Sequence, residues 1–422
     1  MQNNSTHPQN IHYKPIEEPR QPLLSIGFFL LSLFALLRPI TLTFEYVTFY
    51  SLSPFEVFAA FISYILLIPV IMYFQKITID RTTFTIFVFC LYSFFSILWG
   101  SNLVAIFRIT LPFIIFFASR LFITNSKQIG ILLFALVIGY IMPIFSSTYD
   151  ILVGRGVEML NYWTQMQRYE GNFTSSHTFA YSMLFFSFIF CFIKNFCQLN
   201  NNMKKYLIFV LLFATFFCLY KSYTRTAFVG FFIFWSVYLY GSNKKYFVYA
   251  ILLFFIIGIF FFPKASAIFW NSENGKRDLN AASSGRISIW QNNTKIFIND
   301  TTSNKLLGHG LGSEGHHIRD SNDIILPSHN DYLSLIMSLG LIGLFLYLFI
   351  LFSLLLDILH SNLPNKNKFL FLGVTFSIMA MNYFSNAVIF RVELSQYFWL
   401  FMGIFYFLDT SPNSDRLPTT DI

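Results

Sequence analysis

A histidine at the mouth of an apolar run, and a few arginines beside such runs, are the residues of this chain best placed to do chemistry. His329 stands in Ser328-His329-Asn330-Asp331-Tyr332, where a long polar stretch ends and roughly twenty-five mostly apolar residues follow. An imidazole at a water-facing position exchanges a proton near neutral pH, so His329 is a candidate general base. The competing reading is structural, because His329 could cap the following helix together with Asn330 and Asp331.

Arginine at membrane depth is costly and marks a functional site unless it snorkels to headgroups or meets a carboxylate. Arg108 lies inside an apolar run, Arg168 in a polar stretch, Arg225 within Tyr223-Thr224-Arg225-Thr226, and Arg391 at the end of a run. Arg168 and Arg391 have Glu170 and Glu393 nearby in sequence, which favours the bland reading for them. Arg225 joins two apolar runs across an almost absent turn. A guanidinium held there is fixed between helix ends and suits bidentate recognition of phosphate oxygens.

In the long polar stretch, Ser283-Ser284-Gly285-Arg286-Ile287-Ser288-Ile289-Trp290 reads as a serine-capped helix start, with Ile287, Trp290 and Phe297 as its apolar positions. Such a helix is expected to lie along the membrane surface. Its N-terminal amides and Arg286 would form an anion site, unless Arg286 merely meets lipid phosphate. Leu307-Gly308-His309-Gly310-Leu311-Gly312-Ser313 promises a tight turn but lacks the Gly-Lys-Ser/Thr ending of a nucleotide loop. His309, His316, His317 and His329, with Asp320 or Asp323, match no familiar metal-ligand spacing, so no metal and no other cofactor is expected.

The elements that must position these residues follow from composition. The 422 residues are 55% hydrophobic and 11% charged, with a mean hydropathy of +0.58, against about 25% charged in a soluble domain. This is the profile of a polytopic membrane protein. The net charge of +8 does not signal nucleic acid, since basic residues gather in cytoplasmic loops for topological reasons. Cys90, Cys191, Cys197 and Cys218 lie in or beside apolar runs and form no disulfide or metal pattern. The 57 phenylalanines serve packing and lipid contact. The polar start from Met1 to Gln21, with Lys14 and Arg20, precedes an apolar run with no cleavage signal, so an anchor is expected there.

About twelve spans fit the hydropathy, near 23–43, 55–74, 83–99, 104–122, 129–147, 177–193, 206–223, 226–240, 246–262, 331–356, 369–389 and 395–408. With the N-terminus inside, the cytoplasmic connections hold Lys76 and Arg81, Lys127, Lys194 with Lys204 and Lys205, Lys244 and Lys245, and Lys366 and Lys368. The expected organisation is a cytoplasmic tail over 1–22, a bundle of about nine spans over 23–262, a large periplasmic loop with short interfacial helices over 263–330, about three spans over 331–408, and a cytoplasmic tail over 409–422. The fold class is thus all-α, and the polar chemistry faces outward.

These features resemble the bacterial O-antigen ligase and polymerase superfamily. The likeness rests on the span count, the large loop, Thr224-Arg225-Thr226, Gly285-Arg286 with Trp290, Leu307-Gly308-His309-Gly310-Leu311-Gly312, and His329-Asn330-Asp331-Tyr332-Leu333 followed by Gly340 and Gly343. Arg168-Tyr169-Glu170-Gly171-Asn172-Phe173 also looks like the Arg-x-x-Gly-x-Phe element of that superfamily. The resemblance implies an inner-membrane glycosyltransferase with its site at the periplasmic face. Its donor would be a glycan on undecaprenyl diphosphate and its acceptor another glycan or a lipid A core. Arg225 and Arg286 would hold the diphosphate and His329 would be the base, with Arg168, Arg108, His309 and Asn330 as secondary contacts. The glycine-rich and His-Asn-Asp-Tyr-Leu elements look closer to exopolysaccharide polymerases than to lipid A-core ligases. Membrane lipids and other polysaccharide-assembly membrane proteins would be its partners, and nucleic acid would not. A flippase of lipid-linked glycan, or another transporter, is the rival class, since it shares the spans and the buried arginines. A transporter should concentrate its polar groups near mid-membrane, whereas this chain concentrates them at one end.

Overall fold

The computed structural model describes residues 22–43, 54–158, 168–173, 175–197, 202–249, 251–252, 283, 285–313 and 328–410. Apolar runs become long helices: α1 (Pro22–Thr43), α2 (Pro54–Met72), α3 (Arg81–Phe95), α4 (Leu103–Phe122), α5 (Ser126–Val153), α6 (Ser176–Phe196), α7 (Asn202–Lys221) and α8 (Arg225–Ser242). Two short helices follow, α9 (Arg286–Asn299) and α10 (Thr302–Leu307). Then come α11 (Asp331–His360), α12 (Asn365–Phe384) and α13 (Val392–Thr410). The long helices coincide with eleven of the expected spans, and six of them (α1, α3, α4, α5, α6 and α11) are long and apolar enough to cross a membrane by length and composition. Most of the expected span over 246–262 lies outside the described residues, as do His316, His317, Asp320 and Asp323. The described residues are all-α as expected, save one short ribbon among them in which β1 (Val157–Glu158) pairs antiparallel with β2 (Arg168–Tyr169).

The centre of the bundle is built from α4, α6 and α13. Aromatic side chains fill it: Trp399 packs on Phe113 at 4.7 Å and Phe116 at 5.5 Å, and Phe401 stacks on Phe192 at 4.5 Å. Offset and edge contacts of this kind are the favoured aromatic geometries. At the end of the bundle where the sequence places lysine-bearing turns, Arg120 pairs with Asp80 at 2.8 Å, and Asp357 accepts from Thr82 and Tyr406. The opposite end carries the N-termini of α4, α6, α8, α11 and α13.

One span is broken. Inside α11, Gly340 adopts φ +67°, which interrupts the helical ladder. Carbonyls freed within a membrane need other donors. Here the loop after α10 supplies them: the amide of His309 donates to Met337 O at 2.9 Å and that of Gly310 to Ser338 O at 2.8 Å, while Tyr92 Oη donates to Leu339 O at 2.9 Å. The fit leaves no room for a side chain, since a Cβ on Gly310 (φ +94°) would meet Gly100 C at 2.5 Å. Trp99 Nε1 donates to Leu307 O, and Asn102 N to Leu311 O, which closes the seam against the α3–α4 turn. The glycine-rich segment is therefore a plug for a broken helix.

Candidate functional site

Thr224-Arg225-Thr226 begins α8, and its two threonines are spent on anchoring. Thr224 Oγ1 donates to Ser176 O at 3.3 Å, and Thr226 shares a 2.7 Å hydrogen bond with Tyr181, both partners being on α6. Arg225 is left half-buried between the helix ends, after Tyr223 at φ +48°. The Arg-x-x-Gly-x-Phe element is pinned by Phe173, buried and packed on Phe179 at 5.5 Å. Arg168, which opens the element, is close enough to act electrostatically on Arg225.

Arg286 opens α9, whose N-cap is Gly285 at φ +78° rather than a serine. Ser283 Oγ still accepts the first-turn amide of Ile287 at 3.2 Å, so the capping bond expected from the sequence forms from one turn earlier. Two contacts orient α9. Trp290 Nε1 donates to Ser328 O at 2.9 Å, next to His329, and Arg286 Nη1 donates to Phe384 O at the end of α12. Burial lowers the Arg286 guanidinium below its ordinary range, Tyr181 pulls it back, and Arg168 lowers it again. A guanidinium remains protonated in any case.

His329 does not cap α11. Asn330 does, its Oδ1 accepting from Tyr332 N at 2.9 Å and Leu333 N at 3.0 Å. This assigns Asn330, expected among the secondary substrate contacts, to the helix end. Asp331, fully buried, accepts the amides of Ala387, Val388 and Ile389 within 3.0 Å and so clamps α11 to the α12–α13 turn. His329 is held one residue outside the helix at φ +50°. With Tyr223 it is one of two non-glycine residues at positive φ among the described residues, and both adjoin the candidate site. Strain of this kind persists only where the surroundings impose it. Burial first, and then the Arg286 and Arg391 guanidiniums, push the His329 imidazolium down to about 4, so the ring is neutral near pH 7.

Arg168, Arg225 and Arg286 are close enough for their charges to act on one another. His177 joins them, since Arg286, Arg391, Arg168 and His329 all act on it electrostatically. Its Nδ1 is buried without a hydrogen-bond partner among the described residues. The sequence reading missed His177; its one signal was a histidine at the start of an otherwise apolar span, directly after the Arg-x-x-Gly-x-Phe element. Arg391 was expected to snorkel or to pair with Glu393. It instead donates from Nε to Asn386 O at 2.8 Å and from Nη1 to Thr178 Oγ1, beside the Tyr181 ring.

Two expected secondary contacts sit elsewhere. His309 Nε2 meets Asp300 Oδ2 at 2.6 Å within the plug, an ion pair whenever the ring is protonated. Arg108 is exposed on α4 and lines a separate cavity. Among the described residues no group of three or more His, Cys, Asp or Glu is arranged to hold a metal ion.

The arrangement gathers mutually repelling cations around two histidines at one end of a helical membrane bundle, which is what a concentrated anion next to a proton acceptor requires. Residues 207–348 match the family model described as O-antigen ligase. That third of the chain runs from α7 into α11 and contains Arg225, Arg286, His309 and His329, while Arg108 and Arg168 precede it. The match supports the O-antigen ligase and polymerase superfamily, and with it a glycosyltransferase-type role for a multi-pass membrane protein in O-antigen assembly. No curated protein matches the chain.

Proposed function

We propose that this chain transfers a glycan from undecaprenyl diphosphate to a sugar hydroxyl at the periplasmic face of the inner membrane. The observation that supports the reading is that Arg168, Arg225 and Arg286 lie close enough to act electrostatically on one another, with Arg286 also acting on His329. Arg225 and Arg286 grip the diphosphate, and Arg168 adds a third positive charge. As the bond from the anomeric carbon to the diphosphate oxygen breaks, its electron pair passes to the diphosphate, where the guanidiniums stabilise the developing charge. The acceptor oxygen forms the new bond to the anomeric carbon, and its proton passes to the neutral His329 ring. Attack opposite the leaving group inverts the anomeric centre. Neither nucleotide nor metal takes part. The acceptor is another lipid-linked glycan, so the chain acts as a polymerase rather than a lipid A-core ligase.

The test is substitution of the two guanidiniums by a point charge. Arg225→Lys and Arg286→Lys keep the charge but lose the bidentate fork, and each should sharply reduce surface glycan assembly at normal protein levels. Full activity in both variants would remove the diphosphate role and leave only headgroup contact. A deletion strain separates the acceptors, since single-repeat products mark a lost polymerase, whereas free polymer missing from lipid A marks a lost ligase.

A further inference from the structure

Asp331 is the acid in the first turn of α11, and an acid there is ordinarily a solvated partner of the helix dipole. This one is fully buried. Capping belongs to Asn330, so the helix end does not need the Asp331 carboxylate. A carboxylate taken out of water is costly unless hydrogen bonds to its charged form offset the loss. The donors come from another element: the successive amides of Ala387, Val388 and Ile389 converge on Oδ2 at 3.0, 2.9 and 3.0 Å. Successive amides turned on one oxygen form an anion-binding nest, and here the anion belongs to the residue two places after His329.

The same turn, residues 384–389, also holds two of the cations. Phe384 O accepts from Arg286 Nη1, and Asn386 O accepts from Arg391 Nε at 2.8 Å. His329 is strung between two anchors. Before it, Ser328 O takes the Trp290 indole N–H at 2.9 Å, and Ser328 Oγ bonds Ser334. The Trp290 ring in turn lies 5.8 Å from that of Tyr383, next to the turn. After it, Asp331 is fastened to the nest. These two anchors maintain the φ of +50° at His329. One short turn thus fixes, through hydrogen bonds, two guanidiniums and the segment that carries the imidazole.

We infer that Asp331 is a positioning residue for glycan transfer: its carboxylate sets the His329 ring in register with Arg286 and Arg391 through the 384–389 turn, an inference that rests on the transfer reaction proposed above. Being fully buried, it acts through His329 rather than on the substrate. Without the carboxylate the two guanidiniums keep their own backbone acceptors, so donor binding survives, while the base loses one of its two anchors. The rate is sensitive to that loss, since a misplacement of about 1 Å can cost about a hundredfold.

The experiment measures single-turnover transfer by the full chain in nanodiscs, per chain that binds undecaprenyl diphosphate, so that misfolded protein is not counted. Asp331→Asn removes the charge, and Asp331→Glu keeps it but displaces the carboxylate by one methylene. Both should bind donor as wild type does and transfer about tenfold to a hundredfold more slowly. The acid limb of Asp331→Asn should rise from about 4 toward the ordinary imidazole value of about 6.5, because a loosened ring escapes burial and the Arg286 and Arg391 guanidiniums. Loss of the carboxylate's charge alone would move the limb downward, so the direction separates displacement from electrostatics. Combined with His329→Asn, Asp331→Asn should slow transfer no further, since a residue that acts only through another is not additive with it. Wild-type rates in both Asp331 variants, an acid limb that stays or falls, an additive double variant, or loss of donor binding in both would overturn the positioning role. Wild-type turnover by His329→Asn would instead remove the base reading, and the positioning role with it.

Discussion

Replacing His329 by asparagine separates catalysis from architecture. The capping of α11 belongs to Asn330, so the substitution removes no cap bond. The backbone at 329 sits at φ +50°, a conformation that costs most side chains about 1–2 kcal/mol and that asparagine tolerates better than histidine. Stability should therefore hold, or rise by up to about 1 kcal/mol. The asparagine carboxamide cannot accept a proton at neutral pH. A general base contributes roughly 10²–10⁴-fold, or about 3–5 kcal/mol on the barrier, so transfer should fall by that factor while donor binding persists. The assay is single-turnover glycan transfer by purified wild type and His329→Asn with EDTA present, beside thermal unfolding and binding of undecaprenyl diphosphate. Wild-type turnover by a folded variant would refute the base assignment. Loss of wild-type activity on chelation would refute the metal-free mechanism.

The acid limb of kcat/KM in the unliganded enzyme should lie near pH 4, because the imidazole is held at about 4 and must be neutral to accept a proton. Activity then falls only as pH drops through that value, and Arg391→Gln should move the limb upward by removing one of the cations that depress it; a limb near pH 6.5 in wild type would contradict the burial of His329. Gly310→Ala should lower stability by about 2 kcal/mol or more, since it combines a positive-φ penalty with a clash against the α3–α4 turn, and unchanged unfolding would dismiss the plug. Cysteine placed at exposed Ser303 on α10 should react with an impermeant maleimide in cells whose outer membrane is permeabilised; labelling only after inner-membrane lysis would invert the orientation.

The long helices were legible because twenty-residue apolar runs leave few alternatives, and most helix ends fall within a few residues of the hydropathy limits. The arginines were legible for the same reason, since a guanidinium in such a setting stands out against its neighbours. Arg38 escaped notice because it is followed at once by Pro39 and reads as the edge of a span, although its side chain turns inward to Gln396. Asp331 looked like one more capping residue, and only the fold brings the amides of residues 387–389 to its carboxylate. The local partners of His309 and Asn330 were not legible, because adjacency in sequence to a histidine or a glycine turn says nothing about which amides or carboxylates these side chains meet in the fold. The break at Gly340 was hidden because a glycine within an apolar run does not announce whether the helix continues through it.

That break also sets a distance. The half-helix from Asp331 to Leu339 ends on the plug, and at about 1.5 Å per residue it carries His329 roughly 13 Å above the seam. The segment behaves as a ruler: its foot is fixed by the amides of His309 and Gly310, and its upper end presents the imidazole to the arginines. Lengthening, shortening or tilting it displaces the proton acceptor relative to a diphosphate held by other helices, and a misplacement of about 1 Å can cost about a hundredfold in rate. Substitutions in the glycine-rich segment will therefore read as catalytic defects in an activity screen, though no atom there need touch the glycan.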